Sequence, residues 1–312
     1  MKSFNTPILF LVFNRPHTTK LVFEVIRKIQ PKKLYVAADG PRLSKFGENE
    51  QCEMARSIAT SIDWDCELVT LFRTENLGCG KAVSDAISWF FDHVEEGIIL
   101  EDDCLPSLSF FHFCDQTLTK YRNNLKIMHI GGCNFQQGVR RGYSDLYFSK
   151  IPHVWGWATW KSAWEKYKYS ISHISTKELD KVVLCNTKQA ELRIYWKSVF
   201  NKMISEPLDT WDYQWHFAIW ENNGLSITPN MNLISNIGFG VNATHTFDTD
   251  AFASNNLVYS FELRKYPHFY LVCEKADLFT YKSVYRIIFK KSIIERLYLK
   301  NKIQKIKHII FR

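Results

Sequence analysis

The sequence predicts an α/β fold, a mostly parallel sheet flanked by helices, with a ligand site along one edge. Three observations predict it. Short apolar runs alternate with amphipathic stretches through the first 105 residues, the pattern of strand–helix units around a parallel sheet. The runs lead into polar or turn-forming segments: Asn14-Arg15-Pro16, Asp39-Gly40-Pro41, Asn76 to Lys81, and Glu101-Asp102-Asp103. Ligands of open α/β sheets bind beyond the carboxyl ends of the strands, so these four segments are expected to converge.

The elements follow in order. "PILFLVF" (7–13) is a buried strand, and Leu21, Val22, Val25, Ile26 and Ile29 mark the face of the helix after it. "KLYVAAD" (33–39) is a second strand, followed by a polar helix over 47–61. "CELVTLF" (66–72) is a third. Ala82, Val83, Ala86, Ile87, Phe90 and Phe91 then recur at helical spacing, and "GIIL" (97–100) is a fourth strand. Beyond 107 the spacing predicts a helix, a strand at "KIMHIGG" (126–132), an aromatic-rich stretch over 146–167, a helical region over 176–205, a helix over 211–222, a strand at "LSIT", and a loop from 229 to 246. The expected organisation is one domain over 1–280, with a nucleotide-binding half (1–105) and an acceptor half (106–280), followed by a basic amphipathic helical tail (281–312).

Hydrophobic residues make up 46% of the 312, ample for a large core. The net charge of +8 is uneven. Residues 281–312 carry ten Lys/Arg against one Glu, net +9, which leaves the body at −1. A near-neutral body argues against a nucleic-acid-binding surface. The eight cysteines form no CxxC pair, so they read as reduced thiols, mostly core residues. The apolar run at 7–13 is too short to cross a membrane and lacks a cleavage site, so the reading is cytoplasmic.

Three adjacent carboxylates at a strand end repel one another and resist desolvation. Acidic residues there can simply cap a helix or face water. The alternative is a divalent cation site, because Mg²⁺ and Mn²⁺ take hard oxygen ligands and share them with phosphates. Competing motifs fail. The first strand lacks a G-x-G-x-x-G, and Lys81 is followed by Ala82, which excludes a P-loop. G-x-S-x-G and H-E-x-x-H are absent.

This combination resembles the GT-A glycosyltransferases, in particular the N-acetylglucosaminyltransferase I type with its EDD motif. "PILFLVFNRP" is similar to that family's opening strand, "HVWGWATW" (153–160) to its Gly-Trp loop, "WDYQW" (211–215) to its Trp-Asp segment, and "NIGFGVNATH" (236–245) to its later Gly–His loop. The matches keep their order across residues 7–247. This chain has Tyr213-Gln214 between the two tryptophans where the family has a single Asp.

The resemblance implies a Rossmann-like GT-A sheet and a metal-dependent, inverting hexosyltransferase with Mn²⁺ or Mg²⁺ as cofactor. Asp103 would be the metal ligand, with Asp102 on the ribose or the metal and Glu101 near the turn or the sugar. Asn14 and Arg15 would meet the base and phosphates, and Asp39 the uracil. Asn76 and Lys81, near a helix start, suit anions. Asp212 is the candidate general base and Asp209 the runner-up, with Asp209 also suited to cap the 211–222 helix. Trp155, Gly156 and Trp157 suit a sugar or acceptor pocket, and His245 is a further metal or pyrophosphate ligand. UDP is the nucleotide implied. The partners would be a nucleotide-sugar and a glycan or lipid-linked acceptor in bacterial-type surface polysaccharide synthesis, such as lipopolysaccharide. The tail would hold the enzyme peripherally on the inner, anionic membrane face. A nucleotidyltransferase, or a non-catalytic carbohydrate-binding scaffold, is the alternative.

Overall fold

The computed structural model describes residues 4–206, 208–238 and 256–290. The chain runs β1 (Ile8–Val12), α1 (Pro16–Ile29), β2 (Lys33–Ala38), α2 (Glu48–Ala59), β3 (Glu67–Phe72), α3 (Gly78–His93), β4 (Glu96–Glu101) and β5 (Cys104–Pro106). It continues through α4 (Leu108–Tyr121), β6 (Ile127–Gly131), β7 (Leu146–Ser149), β8 (Trp157–Trp160), α5 (Lys161–Trp164), α6 (Thr176–Asn186) and α7 (Ala190–Ser205). The last elements are α8 (Asp212–Glu221), β9 (Leu225–Pro229), β10 (Ile234–Asn236) and α9 (Glu274–Ser283).

Eight strands form one sheet in the order β3-β2-β1-β4-β8-β6-β9-β7. β3, β2, β1 and β4 are parallel neighbours, β8 is antiparallel to both β4 and β6, and β7 is antiparallel to β9. The sheet is therefore mostly parallel, with β8 and β7 reversed, and helices pack on both faces. β1 shows why it is a continuous apolar run. Ile8, Phe10 and Val12 join the core under α1 and α4, while Leu9 and Leu11 join the core under α3 and α6 to α8. A strand covered on both faces has no use for polar alternation.

Register sets the site. Val12 pairs with Ala38, Ala38 with Phe72, and Leu11 with Glu101. Four strand ends thus lie level, and the residues after them share one edge. β5 pairs antiparallel with β10, Cys104 opposite Asn236. This brings the distant 234–238 segment beside Asp103, whose carbonyl accepts the Ile237 N–H at 2.8 Å.

Several boundaries differ from expectation. The region over 176–205 is two helices. Ser175 and Glu178 form a capping box at the first, and Thr187 is extended (φ −134°) at its end. The expected helix over 281–312 also differs: α9 ends at Ser283, and 284–290 is not helical. Tyr281 is buried, and Tyr285, Ile287 and Phe289 pack against the α6–α8 core. Residues 291–312 lie outside the described residues. Among the described residues, no helix is long and apolar enough to cross a membrane.

Candidate functional site

The four strand ends open onto a cavity of about 320 Å³. Phe13 and Arg15 line it after β1, Asp39 and Arg42 after β2, Arg73 and Asn76 after β3, and Glu101 at the end of β4 with Asp102 and Asp103 after it. Gly78 and Cys79 of α3, Trp155, Asp209, Asn236 and Gly238 complete the wall.

The carboxylate triplet is held unequally. Asp102 Oδ2 accepts the Phe13 N–H at 3.0 Å. Asp103 Oδ2 accepts from the Arg15 guanidinium at 2.6 Å, which also lies 3.9 Å from Asp102 Oδ1. Among the described residues, Asp103 Oδ1 meets only the Cys104 thiol, at 3.4 Å. Among the described residues, no hydrogen bond holds the Glu101 carboxylate. Burial, then the charges of Asp103 and Asp102, raise the Glu101 pKa. Burial and then Asp103 raise that of Asp102, against the opposing pull of Arg15. Burial works against the Arg15 charge, but Asp102 and Asp103 outweigh it and raise its pKa. Among the described residues, the one guanidinium paired with the triplet does not neutralise three carboxylates.

Asp39 is held in the opposite way. Its oxygens accept the Leu77 and Gly78 N–H groups at 3.0 and 3.1 Å, the Gly40 N–H at 3.0 Å, and the Asn76 amide at 3.0 Å. Burial still raises its pKa, because it outweighs these bonds. Asp209 accepts the next two amides of α3, Cys79 at 3.2 Å and Gly80 at 2.6 Å. The free amides at the start of α3 are thus taken by two carboxylates. The expectation that Asp209 caps the 211–222 helix is corrected: it caps α3, and α8 has no side-chain cap.

Asp212 opens α8, with its Oδ1 accepting the Thr210 hydroxyl. It is close enough for its charge to raise the Glu101 pKa, and it acts with Glu101 and Asp209 on Cys79, whose thiol is pushed up to about 12, chiefly by burial.

Other expected site residues lie elsewhere. Asn14 turns from the cavity and donates to Glu48 at 2.9 Å. Lys81 is exposed, pairs with Asp85 at 2.6 Å and lies over the Tyr169 ring. Trp155 lines the cavity, but Trp157 does not belong to a sugar pocket. It is fully buried in β8, stacked on His129 at 5.1 Å and on Trp211 at 5.6 Å. Position 157 points into the face covered by α3 and α6 to α8 because strand side chains alternate. Gly156 has a φ of +62°, and the side chain of Ile234 fills the space a Cβ would need. His245 lies outside the described residues.

Sequence reasoning missed Arg42 and Arg73. Arg42 pairs with Glu48 and lies 5.4 Å over the Phe13 ring. Arg73 follows β3 directly, 3.9 Å from Asp85. The signal was available: both arginines follow predicted strands, as Arg15 does.

Among the described residues, no group of three or more His, Cys, Asp or Glu is arranged to hold a metal alone. The donor set nonetheless fits one: hard carboxylate oxygens, an excess of negative charge, and an Asp103 oxygen whose partner among the described residues is a thiol. Mg²⁺-type sites use one or two carboxylates and draw other ligands from water and phosphate.

No family model and no curated protein matches the chain. Among solved structures, HddC from Yersinia pseudotuberculosis is 10% identical, with 52% of this chain and 80% of that one covered and a TM-score of 0.32. A UDP-glucose pyrophosphorylase complexed with UDP-glucose is 9% identical, with 75% and 93% covered and a TM-score of 0.38. Likenesses this loose carry no functional argument, which rests on the cavity and its carboxylates.

Proposed function

We propose that this chain is a metal-dependent, inverting glycosyltransferase that takes a sugar from a nucleoside-diphosphate donor, with UDP as the nucleotide. The observation that carries the reading is the Glu101-Asp102-Asp103 triplet, set at the parallel strand ends on an open cavity, with Arg15 paired to Asp103. Such a cluster has a purpose if a cation and a diphosphate complete it.

Asp103 and Asp102 would hold Mn²⁺ or Mg²⁺, which supplies charge stabilisation to the departing diphosphate. Arg15 fixes the Asp103 carboxylate and sets a positive charge beside the place the diphosphate would take. The edges of β4 and β2 are two strand spacings apart, roughly 10 Å. Diphosphate beside Asp103 and base beside Asp39 and Arg73 are compatible with that span. Asp212 takes the proton of the acceptor hydroxyl as its oxygen bonds to the anomeric carbon. The bond from that carbon to the diphosphate breaks, and its electron pair leaves with the phosphate. Asp209, the runner-up base, has both oxygens engaged by backbone amides, whereas Asp212 has one engaged by Thr210. The acceptor we propose is a glycan or lipid-linked saccharide of a bacterial-type surface polysaccharide. The tail beyond 290 would hold the enzyme on the anionic inner membrane face.

Calorimetric titration of UDP, GDP and CDP, with and without Mn²⁺, on wild type and Asp103→Ala tests the reading. UDP binding that needs both Mn²⁺ and Asp103, weakening by about a hundredfold (~2.8 kcal/mol) without either, is expected. Binding indifferent to both would leave the triplet structural and end the metal-dependent reading.

A further inference from the structure

We propose that Asp209 is a positioning residue: it clamps the segment before α8 onto the N-terminus of α3 and so sets Asp212 relative to Glu101. The inference rests on Asp212 as the base. The clamp itself stands on geometry. Asp209 lies 129 and 130 residues from the two amides it accepts, Gly80 at 2.6 Å and Cys79 at 3.2 Å. It is a direct tie between the half carrying the carboxylate triplet and the turn carrying Asp212.

The contact is built from both sides. A Cβ on Gly78 would fall 2.8 Å from Asp209 Oδ2, and one on Gly80 would fall 2.7 Å from the Thr210 nitrogen. Glycine at 78 and 80 therefore lets the 209–210 backbone seat directly on α3. Thr210 carries the constraint onward. Its hydroxyl donates to Asp212 Oδ1, its N–H bonds the Leu208 carbonyl at 2.8 Å, and its own carbonyl accepts the Gln214 amide at 2.7 Å. Because α8 lacks a side-chain cap of its own, its first residue is fixed by this relay. Charge favours the arrangement, since a carboxylate suits the positive end of a helix.

The test pairs hydrogen exchange with kinetics on the full chain. In Asp209→Ala, exchange is expected to rise about tenfold in peptides covering 76–85 and 208–216 together, as expected when one contact protects both segments. A rise confined to 76–85 would make Asp209 a cap on α3 alone and overturn the proposal. Asp209→Asn, which keeps an acceptor for Gly80, is expected to restore part of the protection in both segments. If Asp209→Ala is too unstable, Gly80→Ala wedges the same contact and must show the same paired rise. Hydrolysis of a UDP-sugar panel then reads the catalytic arm: kcat falls about tenfold or more with the UDP dissociation constant within about twofold. Equal losses in kcat and UDP affinity would overturn positioning in favour of donor contact. Asp212→Asn separates the two ideas: paired exchange with unchanged turnover in Asp212→Asn would retire Asp212 as base and leave the clamp standing.

Discussion

Two sets of carboxylates border one cavity and are held in opposite ways. Asp39 and Asp209 have both oxygens engaged, chiefly by backbone amides at the start of α3. Among the described residues, Glu101, Asp102 and Asp103, on β4 and just after it, share one guanidinium, one backbone amide and the Cys104 thiol. Proximity to a pocket therefore does not separate working carboxylates from structural ones. A carboxylate whose acceptors are all taken organises the fold. A buried one left short of donors holds its charge at a cost that a ligand can relieve.

That contrast can be broken experimentally. The largest stability effect should come from Asp39→Ala, which strands the Leu77, Gly78 and Gly40 amides. We expect a loss of about 3 kcal/mol in urea unfolding, since bonds to a charged group are the strong ones. A loss below about 0.5 kcal/mol would mean the amides find water and the bonds are incidental.

Asp277 sharpens the comparison from outside the cavity. It accepts the Ser149 hydroxyl at 2.6 Å and the Lys150 N–H at 2.9 Å, yet burial raises its pKa to about 6. The folded chain then holds a proton there that the unfolded chain has released above its ordinary 3.8. The contribution is complete below 3.8 and lost as pH rises through about 6. Relative to Asp277→Asn, wild type should therefore lose about 2 kcal/mol between pH 4 and pH 6.5, read from unfolding curves across that range. A flat difference would show that two donors suffice to offset burial at Asp277.

The smallest effect tests the unsatisfied set. The raised Glu101 pKa means the folded chain keeps that proton longer than the unfolded one. Its contribution is lost as pH rises above the ordinary carboxyl range. Glu101→Gln should become more stable than wild type by about 1 kcal/mol on the alkaline side in metal-free buffer. Wild type remaining the more stable at every pH would show that Glu101 has a partner after all.

The residues read as sequence made the front half of the site legible. The alternation of apolar runs located β1 to β4 within a residue or two. The rule that ligands sit at strand ends brought Arg15, Asp39, Asn76 and the triplet to one cavity. It failed at Asn14 and Lys81 because adjacent positions on a loop or helix point different ways, and only packing says which. Trp157 was misread because an aromatic run looks alike in a pocket and in a core. The sheet register, which places Trp157 opposite Ile99, sends it inward. Arg42 and Arg73 were missed because a lone arginine after a strand carries no motif.

The sequence by itself determined which segments become buried strands, where they end, and that three like charges sit together at one of those ends. These are local properties, fixed by apolar periodicity and by residue chemistry. Only the tertiary structure decided which charges meet which partners. Asp209 reaches the amides of α3 across 129 residues, and Gly238 is carried beside Asp103 by the pairing of β5 with β10. Pairings of that range depend on how the layers pack, and no local pattern encodes them.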